Sequence, residues 1–333
     1  MIEVIDSNSQ EMRDFYDKKF YFSYSGLNKL LFSPKAFYKH YILDDREEKT
    51  DAHLVEGSLL HCLLLEPEKY DEKFIMSPSK LPKGNNLDIV LKTFQVYSEQ
   101  DDETLNLSDF SQEILSILVS INLHQSLKTD EQRLKKVLTQ ENKDYFDFLK
   151  AKGSRAIIDS ATKIKAEESI EYLKADEQVM NLMCLNSPNT YNELKLKMDM
   201  QGVSFGLKGI VDNIVIDKES KTIFVNDLKT TSKPLLKFKD TLEFYRYDLQ
   251  AAIYYTLARH YVKEQFPELN NFKVVFTFIV IDSFNLIYPY QVSQSTMKDW
   301  LRNLSNALTA ARFHYDNKQY GLPYELASYS LTL

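Results

Sequence analysis

Near residue 190 the apolar residues change their spacing, and this constrains the fold more than any other feature of the chain. From Ser111 to Met183 they recur mostly at helical intervals, with a break around Lys152-Gly153-Ser154. From Tyr191 the pattern is that of strands: Tyr191–Met200 alternates, Val203–Ile216 reads as a second strand, Asp217–Lys221 is a polar turn and Thr222–Lys229 is a third strand. The spacing then predicts a helix over Leu242–Lys263, an apolar strand Phe272–Ile281, an edge strand Ile287–Val292 and a last amphipathic helix over Ser295–Asn317. That order predicts an α/β fold, a mixed central sheet covered by helices.

Upstream, residues 21–66 read as helical. Ser25 is placed to cap Gly26–Leu31, Ser33-Pro34 to start a helix through Tyr41, and Leu54–Leu65 to form a third helix that Glu66-Pro67 stops. From Tyr70 to Asn106 no clear periodicity is visible, and Pro78, Pro82 and Gly84 mark loops. The aromatic residues Tyr24, Phe32, Phe37, Tyr38 and Tyr41 are spaced like a base-stacking set but are expected in the core.

Composition excludes several classes. Only 8 Gly and 9 Pro occur in 333 residues while 44% of positions are hydrophobic, which rules out a disordered, collagen-like or low-complexity chain. Two cysteines, Cys62 and Cys184, cannot supply a disulfide framework, a four-thiolate zinc site or a Cys-held iron–sulfur cluster, and they fit a reducing, cytoplasmic setting. No apolar run is long enough to span a membrane, and Met1–Ser7 lacks the basic start of a signal peptide. No Walker A or G-x-G pattern is present, so no nucleotide cofactor is expected, and G-x-S-x-G and H-E-x-x-H are absent too.

The chemistry concentrates in two adjacent strands. Side chains two apart share a strand face, so Ile223, Val225, Asp227 and Lys229 project together, and Asp212 shares a face with Ile210, Ile214 and Ile216. A carboxylate buried among isoleucines costs several kcal/mol unless a cation or donors compensate it. The polar turn would bring Asp212 and Asp227 together, where their repulsion favours a divalent metal between them. Lys229 would then stand beside that metal, suited to orient or deprotonate a water or to stabilise charge on a pentacoordinate phosphate. An isolated D-x-K is more often a structural ion pair, so the tripeptide gains meaning only from its company.

That company is Gly57-Ser-Leu-Leu-His61 on a helix, Asp212 on a strand, Asp227-Leu-Lys229-Thr on the next, and Gln250-Ala-Ala-Ile-Tyr254 on the following helix. In this order the chain resembles the PD-(D/E)xK nuclease superfamily, and more narrowly the RecE-like phage and prophage exonucleases of the exonuclease VIII type. Tyr24-Ser-Gly-Leu, Ser33-Pro34 and Tyr247-Asp-Leu-Gln support the likeness, which covers roughly residues 20–70 and 150–290. It implies a single nuclease domain over 1–333. Residues 20–66 form the helical part carrying His61, 70–185 a mostly helical insertion, 190–292 the catalytic sheet and helix, and 295–333 a C-terminal helix and tail.

Carried over, the resemblance makes His61, Asp212 and Asp227 metal ligands with the Leu228 carbonyl as a fourth, and Lys229 the catalytic lysine. Gln250 and Tyr254, four apart on one helix face, position the DNA or the lysine, and Glu193 is an upstream strand acid beside the site. Asp stands at 227 where Glu is common in the superfamily, and both are hard oxygen ligands. The bland alternatives are a core histidine at 61, a polar helix rim at 250 and 254, and a small buried hydrophobe at Cys62.

The implied function is a metal-dependent DNA exonuclease acting at duplex ends, with Mg²⁺ or Mn²⁺ preferred over zinc because thiolates are missing. Family likeness adds 5′→3′ resection leaving a 3′ single-stranded tail for phage-type recombination, an annealing protein as partner and a ring-like homo-oligomer in the host cytoplasm. An endonuclease of the same superfamily and a non-catalytic DNA-binding module are the alternatives.

Net charge speaks against DNA only at first sight. Of the −7 total, six carboxylates without a counter-charge fall in residues 99–115, whereas residues 193–240 hold nine lysines against seven acids. Lys195, Lys197, Lys208, Lys233, Lys237 and Lys239 are the candidates for contacts to double-stranded DNA phosphates. The expectation is an acidic outer region set against a lysine-bearing catalytic face.

Overall fold

In the computed structural model the described residues are 10–45, 52–269 and 271–328. The chain forms two compact units, one of residues 1–67 with 165–333 and one of residues 68–164.

In the first unit the helices α1 (Gln10–Asp17), α2 (Tyr24–Phe32), α3 (Pro34–Phe37) and α4 (Ala52–Leu65) precede the sheet, with the two-residue strand β1 (Tyr21–Phe22) between α1 and α2. Ser23, not Ser25, caps α2, its side chain accepting from the Gly26 amide; being one residue outside the first turn, it alone has the extended backbone a cap requires. Ser33 caps α3 as the sequence suggests, and a π-helical turn over Tyr38–Ile42 follows.

The second unit contains α5 (Tyr70–Lys73), β2 (Phe74–Met76), α6 (Asn85–Tyr97), α7 (Ser111–Ser120), α8 (Asp130–Val137), α9 (Gln140–Lys152) and β3 (Ala156–Ile158), with β2 and β3 paired in parallel. Helix α6 corrects the expectation of an aperiodic stretch. Its Ile89 and Val90 are fully buried against Phe110, Ile114, Leu118 and Phe146, so tertiary packing stabilises a segment whose own periodicity is weak. The acidic run of residues 99–115 belongs to this unit.

Helix α10 (Ser160–Ala175) returns the chain to the first unit, followed by α11 (Glu177–Met183), β4 (Thr190–Asp199), β5 (Gly206–Asp217) and β6 (Thr222–Thr231). After them come α12 (Phe238–Tyr245), α13 (Tyr247–Gln265), β7 (Lys273–Asp282), β8 (Ile287–Gln291), α14 (Gln294–Asn317) and α15 (Tyr324–Ala327). Where one helix is expected over residues 242–263 there are two. Arg246 takes a left-handed backbone, φ 57°, and the helical ladder is interrupted there.

The sheet runs β1-β5-β6-β7-β8, with β4 on the other edge of β5. Strands β6 and β7 are parallel, while β4–β5, β5–β6 and β7–β8 are antiparallel. One face is packed by Leu249, Ile253, Leu257 and Val262 of α13 with Leu304 and Ala311 of α14; the other is packed by Leu60 and Leu64 of α4, Leu173 of α10 and Val179 of α11. This is the mixed α/β sheet with helical cover that the period switch predicts. No helix among the described residues is long and apolar enough to cross a membrane.

Two features of the sheet create a site. The β5–β6 ladder ends at Asn213↔Asn226, so Asp212 and Asp227 occupy the first rung beyond it, where the strands part. Further along β5, β1 takes over as neighbour at Gly206 and Leu207. The alternation of β5 also reverses at this rung. Leu207 and Val211 lie in the same core cluster as Ile214 and Ile216, which a strict two-residue period would put on opposite faces. Ile210, expected beside Asp212 in the core, is instead 43% exposed. Opposite Asp212, Glu193 of β4 has φ 45°, a left-handed conformation that interrupts the β4–β5 ladder between Asn192↔Asn213 and Leu194↔Val211.

Candidate metal centre at the strand fork

The fork is filled from both sides of the sheet. Asp212, 6% exposed, turns into the gap, and its Oδ2 accepts the Leu228 amide N–H at 2.8 Å. That donor would otherwise belong to a β5–β6 ladder that has already ended, so the carboxylate substitutes for a strand partner. From α4, His61 lies with Nε2 2.9 Å from the Leu228 carbonyl oxygen and Nδ1 3.4 Å from Glu193 Oε1 and 3.6 Å from Asp212 Oδ2. His61, Glu193 and Asp212 each offer a ligand atom within 4.8 Å of the others.

Asp227 is fully buried and neither of its oxygens accepts a hydrogen bond, although Lys229 Nζ forms an ion pair with Oδ2. The ammonium also lies 3.5 Å from the Leu228 carbonyl oxygen and 5.1 Å from the centre of the Tyr247 ring. Gln250 and Tyr254, both nearly buried on α13, are joined by a 3.1 Å bond from Nε2 to the phenol oxygen, and Gln250 Oε1 has no donor. The sequence-derived set His61, Asp212, Asp227, Leu228, Lys229, Gln250 and Tyr254 thus comes together, and Glu193 joins His61 and Asp212 directly.

Electrostatics follow from burying three acids with two bases. Burial, and then the nearby Asp227, push the Asp212 carboxyl up to about 7 against the opposing pull of His61. Burial works against the Lys229 ammonium, but Asp227 and Asp212 outweigh it and hold the group above the ordinary lysine value. For His61, desolvation is likewise outweighed by Asp212 and Glu193, so its pKa is raised. Burial raises the Tyr254 phenol, with Asp212 and Asp227 adding to it.

The donor set fits a hard divalent cation. It contains one imidazole, carboxylates and a main-chain carbonyl, with no thiolate near. The fully buried Asp227 carboxylate, paired with Lys229 but accepting no hydrogen bond and lying beside the buried Asp212, is the observation that tests the fit, since a divalent cation would balance the second negative charge.

The lysines divide. Lys195, Lys197 and Lys208 are exposed on β4 and β5, with Lys197 directly opposite Lys208, and their neighbours Leu194, Leu196 and Leu207 point into the core. Lys197 lies over the Tyr21 ring. Lys233, Lys237 and Lys239 are exposed in the β6–α12 connection and the start of α12, the latter two with only long pairs, 3.8 Å to Asp240 and 4.0 Å to Glu243. A surface cavity of about 480 Å³ lined by Tyr16, Lys19, Ser204, Tyr315, Asp316 and Lys318 contains none of these residues.

Sequence reasoning gave no site role to three residues here. Tyr247 backs the Lys229 ammonium, and Tyr24 donates its hydroxyl to the Tyr245 carbonyl, with its ring 6.3 Å from Tyr247. Gly209 leaves room for Tyr254, because a Cβ there would meet Tyr254 Cε1 at 2.8 Å. Tyr24 and Tyr247 fall inside motifs that the sequence shows, but nothing local marks Gly209.

A forked mixed sheet with an aspartate on each arm, a lysine two residues further and a histidine from a facing helix is the arrangement of a metal-dependent nuclease fold. The chain belongs to the PD-(D/E)XK nuclease superfamily, whose family model matches residues 21–320. It is accordingly of a class that hydrolyses nucleic acids and uses divalent metals. Among solved structures it is similar to a "putative exonuclease" from Eubacterium rectale, at 14% identity, 92% coverage of this chain, 86% of that one and a TM-score of 0.44. A second likeness is to SSO0001, at 13% identity, 72% and 94% coverage and a TM-score of 0.23. No curated protein matches the chain by sequence.

Proposed function

We propose that the chain is a Mg²⁺-dependent exodeoxyribonuclease of the RecE-like type, acting at duplex DNA ends and resecting 5′→3′. The observation that carries the catalytic reading is the fully buried Asp227 carboxylate, ion-paired with Lys229 but accepting no hydrogen bond, at the fork beside the buried Asp212. Two buried carboxylates, Asp212 and Asp227, exceed what the one Lys229 ammonium neutralises, which is costly for a purely structural sheet and serves a cation-binding one.

His61, Asp212, Asp227 and the Leu228 carbonyl would hold the ion, with Glu193 within reach of His61 and Asp212. Bound Mg²⁺ supplies Lewis acidity for the phosphoryl group and acidifies water. The protein's own groups do the rest. Asp212 holds the Leu228 backbone so that its carbonyl faces the fork, and Lys229 presents an ammonium to oxygens on which negative charge develops. Tyr247 walls that ammonium from one side, and Gln250 fixes the Tyr254 phenol next to the two aspartates. Exposed Lys233, Lys237 and Lys239 lie only a few residues beyond Lys229 and suit phosphates without reading sequence. An annealing protein as partner and a ring-like assembly around DNA belong to the same reading.

The test is digestion of linear, nicked and covalently closed duplex DNA with Mg²⁺ by the wild type, Asp227→Ala and Lys229→Ala. Linear DNA should be degraded by the wild type alone. Cutting of closed circles would overturn exonuclease action, and full activity in either variant would overturn the site.

A further inference from the structure

The aromatic residues expected in the N-terminal core do not all go there. Phe37 and Tyr38 are buried, but Phe32 is 87% exposed at the end of α2. Earlier on the same helix face, at successive four-residue steps, Asn28 and Tyr24 both hydrogen-bond to the Tyr245 carbonyl, the Asn28 amide at 3.4 Å. That carbonyl sits at the elbow between α12 and α13. There Arg246, held in a left-handed backbone that a residue with a Cβ rarely adopts, turns the chain.

The elbow presents a row of rings. Phe244, 75% exposed, meets Tyr245 edge-on with centroids 4.9 Å apart, and Tyr245, 48% exposed, stacks on Tyr247 at 5.5 Å and 21°. Tyr247 in turn lies against the Lys229 ammonium. An apolar surface is therefore continuous, ring by ring, from solvent to the catalytic lysine. Cations lie close to it along the chain, Arg246 within the row and exposed Lys233, Lys237 and Lys239 in the segment leading to α12, the last two paired at 3.8 and 4.0 Å with Asp240 and Glu243. Alternating rings for bases and cations for phosphates is the physical requirement of a single strand, and a base paired inside a duplex cannot stack on a protein ring.

We infer that Phe244 and Tyr245 form a platform for an unstacked nucleobase of the strand being cut, so that the site takes an unpaired or frayed strand. This deepens the nuclease reading above and rests on it. The platform belongs to substrate binding and is independent of the metal, so it can be measured without hydrolysis.

The experiment is anisotropy of labelled strands of about 12 nucleotides in EDTA, comparing oligothymidylate with a fully abasic strand of equal charge. The wild type should prefer the base-bearing strand by about 5- to 150-fold, the range for stacking one base. Phe244→Ala/Tyr245→Ala should lose that preference while binding the abasic strand as before, and Tyr245→Phe should keep it. Thermal melting of each variant checks that the fold is retained. Equal binding of both strands by the wild type would overturn the platform, as would an unchanged preference in the double variant. Loss of a self-association in that variant, with base preference intact, would overturn it too, by assigning the rings to a contact between copies. If the platform fails while linear DNA is still digested, the nuclease reading stands. If the base preference holds and no metal supports digestion, the nuclease reading is what fails.

Discussion

Asp212 accepts the Leu228 amide through Oδ2 at 2.8 Å, one rung beyond the last β5–β6 backbone pair. One side chain thereby closes the backbone account of the fork and holds the Leu228 carbonyl toward His61, which meets it through Nε2 at 2.9 Å. The carboxylate that opens the sheet and the carbonyl that faces the gap are mechanically one unit.

Metal binding should stabilise the protein measurably. Asp212 and Asp227 are buried beside each other, and a divalent ion would relieve their repulsion. At a hundred-fold excess over its dissociation constant the ion contributes about 2.7 kcal/mol. Mn²⁺ or Mg²⁺ should raise the melting temperature by several degrees and EDTA should reverse it. In Asp227→Asn the increment should largely vanish, together with most of the DNA hydrolysis.

Gly209→Ala tests the packing behind Tyr254. The new Cβ would meet Tyr254 Cε1 at 2.8 Å and Leu257 Cδ1 at 3.1 Å, so the ring must shift. Overpacking of this kind costs about 1–3 kcal/mol. The expected outcome is a lower urea midpoint and a kcat that falls further than the loss of stability explains, while KM for DNA changes little.

A row of amides crosses the sheet behind the fork. Asn226 donates to Asn213 Oδ1 at 2.7 Å, Asn213 donates to Asn192 Oδ1 at 2.8 Å, and both also donate to the last carbonyls of α11, Leu182 and Met183, at 3.0 Å. Asn213→Ala should cost about 2–4 kcal/mol in urea unfolding, because it strands buried groups on two neighbours. It should also lower activity, since Asn192 adjoins the left-handed Glu193.

His314 gives stability a pH dependence. It is 1% exposed, and burial depresses its pKa below 6.5, with the Gln319 carbonyl opposing that shift. The unfolded chain therefore takes up a proton that the folded one resists. The contribution is complete above pH 6.5 and is lost as pH falls toward the depressed folded value, at no more than about 1.4 kcal/mol per pH unit. Urea unfolding at pH 7.5 and 5.5 should show a smaller loss in His314→Gln than in the wild type.

Much of this was legible in the chain itself. Hydrophobic period alone marks β4 to β8 and α14, because those elements bury a continuous stripe or face. The spacing of Asp227 and Lys229 places both on one strand face, and the turn at Asp217–Lys221 sets the β5–β6 register. Other features had no local signal. Helix α6 forms because Phe110, Ile114 and Phe146, distant in sequence, cover Ile89 and Val90. The break at Arg246 and the left-handed Glu193 are backbone conformations of residues whose side chains give no hint of them.

The sequence by itself determined which residues carry charge into an apolar sheet and in what order, since strand periodicity and turn chemistry are local. Only the tertiary structure decided that β5 and β6 part at Asp212 and Asp227, that His61 enters the gap from another helix, and that Phe244 and Tyr245 stay outside the core. Those outcomes depend on burying apolar surface and satisfying backbone groups across the whole sheet, which no local stretch of sequence encodes.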